Sequence, residues 1–328
     1  MTGSAQRQVP LSVLDLAVIP TGSSIGEALR HTIALAQHVE RLGYTRFWLA
    51  EHHNMPSIAS AATSILIGQV AAATESIRVG SGGIMLPNHA SLVIAEQFGT
   101  LDALFPGRID LGIGRAPGTD GATARALRRS AAAMAVDDFP QQLLDLRSFF
   151  SGDFPVGHPF KGITAVPGRG ADVPIWLLGS STYSAQAAAA MGLPFAFAHH
   201  FSAQAMMPAL QAYHQHFRPS ATLAKPYVIV ATGVVCAETD ERARWLARPG
   251  ELMFAWAATG RHGTVPSPEA AAAHACTAQE TAIIEMQRAD RTVGSPATVR
   301  KKLDALLALP PADEIMVMNQ IADHTDRV

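Results

Sequence analysis

The feature that most constrains the fold is a repeated alternation of short apolar or β-branched runs with longer amphipathic segments. This alternation is typical of successive βα units, in which parallel strands pair and the helices pack outside them. Eight such runs favour an α/β fold of the closed (β/α)8 TIM-barrel type over an open doubly wound sheet of similar length. Strands are expected at residues 11–19, 46–50, 77–86, 107–114, 173–179, 193–201, 227–237 and 313–318.

The 328 residues are expected to form a single barrel domain with two insertions. The proline- and glycine-rich residues 151–172 predict a long loop, and residues 238–293 predict a mostly helical insertion. Ser295 and Pro296 are typical of an N-cap and a first helical residue, and they place a helix before the last strand. Because only ten residues follow Met318, the last outer helix is expected to be missing.

Composition argues against several classes of protein. Hydrophobic residues make up 48% of the chain and charged residues 16%, as in soluble globular enzymes. The net charge of −2 and the lack of any long basic run argue against nucleic-acid and membrane-surface partners. The N-terminus has no apolar signal region, and two cysteines, Cys236 and Cys276, cannot make a disulfide framework. A soluble cytoplasmic protein is therefore expected.

Five polar motifs directly follow the second to sixth predicted strands. In a parallel barrel, the loops at the carboxyl ends of the strands converge on one face, where catalytic groups collect. The five motifs are therefore expected to lie on the same face. They are EHHNM at 51–55, SGGIMLPNH at 81–89, GRAPGTDG at 114–121, GSSTYS at 179–184 and HHFS at 199–202.

The Glu51, His52 and His53 cluster has three interpretations: a metal site, an acid–base or substrate-orienting histidine, and a structural polar loop. Adjacent strand residues point to opposite sides, so at most one of these histidines enters the barrel mouth. This parity disfavours a metal site, whose ligands would have to point the same way. The same argument applies to His199 and His200, for which a structural role is the stronger interpretation.

The GSSTYS segment joins a strand to a helix through a glycine and several hydroxyl side chains. Free N–H groups and the dipole at a helix start bind anions, most naturally a phosphate, and simple serine N-capping is the alternative. Arg115, at the end of the neighbouring strand, can supply a guanidinium to the same anion. Gly82 and Gly83, at the end of the third strand, indicate either a bulge or close approach of the backbone to a ligand.

Five segments in register carry a resemblance that covers nearly the whole chain: RFWLAEHHNM, VGSGGIMLPNH, GRIDLGIGRAPG, VPIWLLGSSTYSAQAAAAMGLPF and VGSPATV. With them the chain resembles the bacterial luciferase-like flavin-dependent monooxygenase family, and within it the single-chain bacterial oxidoreductases. The resemblance implies a luciferase-like barrel with insertions that forms a homodimer. It also implies that reduced FMN, delivered by a separate NAD(P)H-dependent flavin reductase, reacts with O2 to give a 4a-peroxyflavin that oxygenates an organic substrate.

The resemblance also implies roles for individual residues. The active-site histidine falls on His52, and a non-prolyl cis peptide against which the flavin ring leans falls at Gly82–Gly83. Glu51 and His53 are then expected to support the loop. Gly114 stands where light-emitting luciferases have a reactive cysteine, so light emission is not implied. The FMN phosphate would be held by Arg115, Gly179, Ser180, Ser181 and Ser184.

Two other functions stay open. Relatives with the same barrel use a deazaflavin for hydride transfer, and such a barrel can also bind flavin without turnover. Apolar residues in the long loop and the helical insertion indicate an apolar substrate, although core packing explains them equally well. These residues include Phe154, Phe160, Met253, Phe254 and Trp256.

Overall fold

The computed structural model describes residues 9–128, 138–308 and 312–328. Its strands are β1 (Leu11–Asp15), β2 (Arg46–Leu49), β3 (Arg78–Met85), β4 (Ile109–Gly114), β5 (Ile175–Gly179), β6 (Phe195–Ala198), β7 (Val228–Cys236), β8 (Thr292–Gly294) and β9 (Glu314–Met318). Strands β1 to β7 pair in parallel in chain order, and β9 closes the ring between β7 and β1. The predicted (β/α)8 barrel is confirmed, and β8 pairs with β7 outside the ring.

Helices connect and flank the strands. They are α1 (Ile25–Arg41), α2 (Thr63–Ala73), α3 (Ser91–Leu104), α4 (Gly121–Arg128), α5 (Phe139–Ser151), α6 (Thr182–Met191), α7 (Met206–His216), α8 (Asp240–Ala258), α9 (Pro268–Ala273), α10 (Ala278–Asp290), α11 (Pro296–Leu307) and α12 (His324–Arg327). Helices α8, α9 and α10 lie between β7 and β8, and the four-residue α12 follows β9. Across the described ranges, no helix is both long and apolar enough to cross a lipid bilayer.

Alternation along the strands divides the buried side chains between two cores. In β2, Phe47 and Leu49 pack in the layer between the barrel and its helices, whereas Trp48 lies in the barrel interior. One face of β2 is covered by the helices and the other by the barrel interior, so all four residues of this strand are buried. The interior core also contains Trp176, whose ring meets Trp48 edge to face at 5.4 Å.

An ion cluster lies at the amino end of the barrel interior, where Arg46 also lines a cavity of about 740 Å³. The Arg46 guanidinium donates to Asp110 at 2.8 Å and to Glu314 at 3.0 Å, and both carboxylates are fully buried. Burial opposes the charge on Arg46, but the two carboxylates outweigh it and raise the pKa of this guanidinium. The site residues predicted from the sequence lie at the opposite, carboxyl end of the barrel.

Candidate active site

A cavity of about 260 Å³ lies at the carboxyl ends of the barrel strands. Every site residue predicted from the sequence lines it except Gly83. These residues come from the ends of four different strands, β2 to β5, and from the loops after them, as expected for a parallel barrel. The predicted residues in the wall are His52, Gly82, Arg115, Gly179, Ser180, Ser181 and Ser184.

His52 lies on the loop after β2, with Nδ1 3.1 Å from the carbonyl oxygen of Gly118. Because a carbonyl only accepts hydrogen bonds, Nδ1 carries the proton in the neutral ring and Nε2 keeps its lone pair. Burial is the main cause that lowers the pKa of His52, against the opposing effects of the Gly118 carbonyl and Glu51. His52 is thus a neutral imidazole with one acceptor nitrogen at the cavity wall.

Glu51 joins the loops after β2 and β3. Its buried carboxylate accepts hydrogen bonds from the Met85 backbone N–H at 2.9 Å and from Nε2 of His89 at 2.9 Å. Nε2 of His53 lies 2.8 Å from the same carboxylate. Burial raises the pKa of Glu51, but hydrogen bonds from His89 and His53 outweigh it and lower the pKa overall. These contacts fix the loop that carries His52.

The end of β3 has the predicted non-prolyl cis peptide at Gly82–Gly83, which the structure confirms. The register with β4 shifts between Gly82 and Ile84, so the bulge interpretation is also confirmed. A Cβ at Gly82 would lie 2.6 Å from Leu14 Cδ1, and one at Gly83 would lie 2.8 Å from the Gly112 oxygen. Both glycines are thus required by packing within the protein, and only Gly82 borders the cavity.

The start of α6 forms one end of the cavity. Ser181 is the N-cap residue, yet within the described residues its side chain makes no capping hydrogen bond. Simple N-capping is therefore not the role of this hydroxyl. Ser180 and Ser184 line the same end, and a side chain at Gly179 would overlap that of Ser184. The helix start therefore presents three hydroxyl groups and the positive end of its dipole.

Arg115 brings a positive charge to this end of the cavity. Its guanidinium carbon lies 4.4 Å from the ring centroid of Tyr183, in the first turn of α6. The cavity therefore combines a cation with hydroxyl groups at one end and an apolar floor at the other. This combination fits a flat ring system that carries an anionic tail. The apolar floor includes Leu14, Trp48, Ala196, Ala231 and Met316.

A second cavity of about 140 Å³ adjoins the first. Met253 and Phe254, in α8, line it, which supports the pocket-wall interpretation for these two residues. Phe154 instead packs on Phe149 with ring centroids 5.1 Å apart, as the core-packing alternative predicts. The two cavities share Leu16, His52, His200, Phe201 and Met318.

His200 borders both cavities, although its sequence context favoured a structural role. Its Nδ1 lies 3.0 Å from the Ala231 oxygen, and burial lowers the pKa of the ring to about 4. Strand alternation could have identified it, because Ala196 and Ala198 of β6 face the cavity and His200 is the next residue in the same alternation. His199, by contrast, is directed to the Thr232 hydroxyl at 3.1 Å.

Residues 9–313 match the family model described as luciferase-like monooxygenase. An Escherichia coli K12 protein named luciferase-like monooxygenase is 47% identical over 98% of this chain and 95% of its own. A Bacillus subtilis 168 protein named N-acetyl-S-alkylcysteine monooxygenase is 34% identical over 97% of this chain and 95% of its own.

Solved structures agree with the barrel. Apo-MsnO8 has a TM-score of 0.85 at 36% identity and covers 97% of this chain and 94% of its own. Two distant structures share the fold alone. The oxygenating constituent of 3,6-diketocamphane monooxygenase from Pseudomonas putida, in complex with FMN, has a TM-score of 0.69 at 18% identity, over 94% of this chain and 91% of its own. An F420-dependent secondary alcohol dehydrogenase has a TM-score of 0.66 at 11% identity, over 97% of this chain and 96% of its own. The match across residues 9–313 and the 47% identity establish that this chain belongs to the luciferase-like monooxygenase family.

Proposed function

We propose that the chain is a flavin-dependent monooxygenase that uses reduced FMN and O2 to oxygenate a small, largely apolar organic substrate. The observation that carries the proposal is one cavity with an apolar floor at one end and a cationic, hydroxyl-rich helix start at the other. Family membership supports the monooxygenase class, and the FMN complex of the Pseudomonas protein supports the choice of flavin.

The residues around the cavity would divide the binding of FMN between them. Ser180, Ser181 and Ser184 would donate hydroxyl hydrogen bonds to the phosphate, and Arg115 would add a charge-assisted one. The apolar floor would receive the ring system and exclude water from it. Reduced FMN, when bound, supplies the two electrons with which one oxygen atom of O2 enters the substrate and the other leaves as water.

His52 and His200 would act where the two cavities meet. Each ring directs Nδ1 to a backbone carbonyl oxygen, so each neutral imidazole keeps an acceptor at Nε2. His52 would use this nitrogen to accept a hydrogen bond from the reacting flavin, or a proton or hydrogen bond from the substrate. A separate NAD(P)H-dependent flavin reductase, a homodimer and a cytoplasmic location remain predictions that rest on the resemblance and the composition.

A second candidate function is hydride transfer with a deazaflavin. The observation that favours it is that an F420-dependent secondary alcohol dehydrogenase has the same barrel fold as this chain. Anaerobic titration of the purified chain with reduced FMN and with reduced F420 separates the two candidates. Tighter binding of F420 would contradict the monooxygenase proposal.

Rapid mixing of the complex of reduced FMN and protein with O2 tests the reaction itself. We expect the absorbance of oxidised flavin to appear later than with free reduced FMN, because the site protects the reacting flavin from water. Arg115→Ala should weaken FMN binding about tenfold or more, since a hydrogen bond to a charged group is lost. Arg41→Ala, at an exposed position in the last turn of α1, is the matched control.

His52→Ala tests the histidine separately. This variant should bind reduced FMN as the wild type does. The delay before oxidised flavin appears should become about tenfold shorter, because one hydrogen bond in the cavity is lost. A variant with unchanged binding and an unchanged delay would contradict a catalytic role for His52. Oxidation without any delay in the wild-type complex would indicate a flavin-binding protein without turnover.

A further inference from the structure

The second cavity is mostly apolar but is lined by two arginines, the exposed Arg261 and the more buried Arg291, which directly follows α10. The Arg291 side chain lies close to two glycines. A Cβ on Gly250 would lie 3.4 Å from Nη1, and one on Gly233 would lie 3.7 Å from Cγ. These two positions have no side chain, so the guanidinium passes between β7 and α8 to reach the cavity wall.

No carboxylate of the described residues forms an ion pair with the Arg291 guanidinium. Among the described residues its guanidinium makes one hydrogen bond, from Nη2 to the Gly250 oxygen at the long distance of 3.5 Å. The nearby Glu251 carboxylate is occupied by Arg288, at 2.9 Å from Nε and 2.7 Å from Nη2. Burial lowers the pKa of Arg291 to about 10, an effect that Glu251 only partly opposes. A half-buried charge of this kind is stabilised when an anion joins it.

Gln287 adds a second unsatisfied polar group to the same wall. It precedes Arg291 by one helical turn, and its residue is only 7% exposed. In the part of the chain that the structure describes, its Oε1 atom has no hydrogen-bond partner. Rotation of the amide would direct the NH2 group to the same position, and this rotation leaves the shape of the side chain unchanged. A planar, singly charged acceptor would then meet donors from both residues.

We infer that the second cavity binds the substrate through a carboxylate, which pairs with Arg291 and Gln287, while the apolar body extends past Met253 and Phe254 toward the two histidines. Guanidinium and carboxylate match in a planar, two-bond geometry, which favours a carboxylate over a neutral polar group. The inference rests on the proposed function, because it names the substrate class for that site. The carbon or heteroatom to be oxygenated lies at the apolar end, where the cavities meet.

Binding of a matched pair of probes, octanoate and octanamide, tests the inference by isothermal titration of the full chain with and without oxidised FMN. We expect octanoate to bind about tenfold more tightly than octanamide. Arg291→Met should abolish the preference, and Gln287→Leu should reduce it. Arg261→Ala is the matched control, since Arg261 lines the same cavity but is exposed and stacks on Trp256 at 4.2 Å.

Equal affinity of the wild-type protein for the two probes would overturn the inference, as would a preference that survives in Arg291→Met. If Arg291→Met does not fold, the relative affinities of the wild-type protein and of Gln287→Leu for octanoate and octanamide still test the inference. FMN affinity is measured in the same samples. Loss of FMN binding would count against the proposed function alone, because the preference for octanoate is measured without FMN as well.

Discussion

Burial sets the charge of the histidines at the site. Nδ1 of His200 donates to a backbone carbonyl oxygen, and burial, the largest contribution, lowers the pKa of this ring to about 4. Burial also lowers the pKa of His52. Both rings are therefore neutral at neutral pH, and each can accept a hydrogen bond from a substrate without first losing a proton.

The lowered pKa of His200 predicts how stability depends on pH. The unfolded chain protonates this histidine near its ordinary pKa of 6.5, whereas the folded chain does so only near 4. Between these values the unfolded state binds more protons, so the free energy of unfolding falls as the pH falls from 6.5 to 4. The contribution of His200 is at most about 1.4 kcal/mol per pH unit. Urea unfolding at several pH values in this window measures the slope.

His200→Asn should flatten this slope, because asparagine keeps a donor for the Ala231 carbonyl but does not titrate. His216→Asn is a matched control. Its ring also directs Nδ1 to a backbone carbonyl oxygen, that of Ala212 at 2.9 Å, but the residue is exposed. The His216 variant should keep the wild-type slope. Equal slopes in His200→Asn and the wild type would show that His200 does not cause this pH dependence.

The site residues differ in how far the sequence could identify them. Strand parity indicated that at most one of His52 and His53 enters the barrel mouth, and the family resemblance selected His52. Parity could also have identified His200, from its alternation with Ala196 and Ala198. No comparable signal exists for Gln287 and Arg291. They come from a helix of the insertion, and its packing against the barrel mouth depends on long-range contacts that sequence periodicity does not encode.

Among the elements, the start of α6 depends most on a single backbone position. Gly179 ends β5, and the Ser184 side chain occupies the space in which a Cβ would lie. The absence of a side chain thus brings the first turn of the helix against the strand. The hydroxyl groups and N–H groups at this helix start can then face one anion.

Gly179→Ala should therefore weaken both stability and anion binding. The added methyl group displaces Ser184, and overpacking of this kind costs about 1–3 kcal/mol. Urea unfolding and FMN titration measure the two effects. Gly162→Ala is the control, because nothing lies within 4 Å of a Cβ at this exposed glycine, and it should change neither quantity. Wild-type FMN affinity in Gly179→Ala would show that the position of Ser184 does not matter for binding.

The predicted strands lie where the structure has them, and the differences occur at their ends. The first strand was expected to reach residue 19 but ends at Asp15, because Ala17 adopts a positive φ of 50° that a strand cannot contain. The three-residue β8 was not predicted at all. It exists because the end of the long β7, at Val234–Cys236, is available to pair with it, and three residues carry too little periodicity to reveal a strand.

At the scale of the whole molecule, the two ends of the barrel have opposite roles. The carboxyl end contains the two cavities, whereas the amino end is held by the cluster of Arg46, Asp110 and Glu314. The three residues come from β2, β4 and β9, so the cluster links strands that are not all neighbours in the ring. Stability and binding should therefore be separable by substitutions at opposite ends.

Arg46→Met makes this separation testable. Removal of the guanidinium leaves the buried Glu314 carboxylate with the hydroxyl groups of Ser12 and Tyr227 as its side-chain partners among the described residues. Such a loss typically costs about 3–5 kcal/mol. FMN affinity in the folded fraction should stay at the wild-type value. Arg300→Ala removes an exposed partner from Asp304, one helical turn away, and should change the free energy of unfolding by less than about 1 kcal/mol. Destabilisation of similar size in both variants, measured by urea unfolding, would contradict a structural role for the buried cluster. Loss of FMN binding in folded Arg46→Met would show that the two ends are coupled.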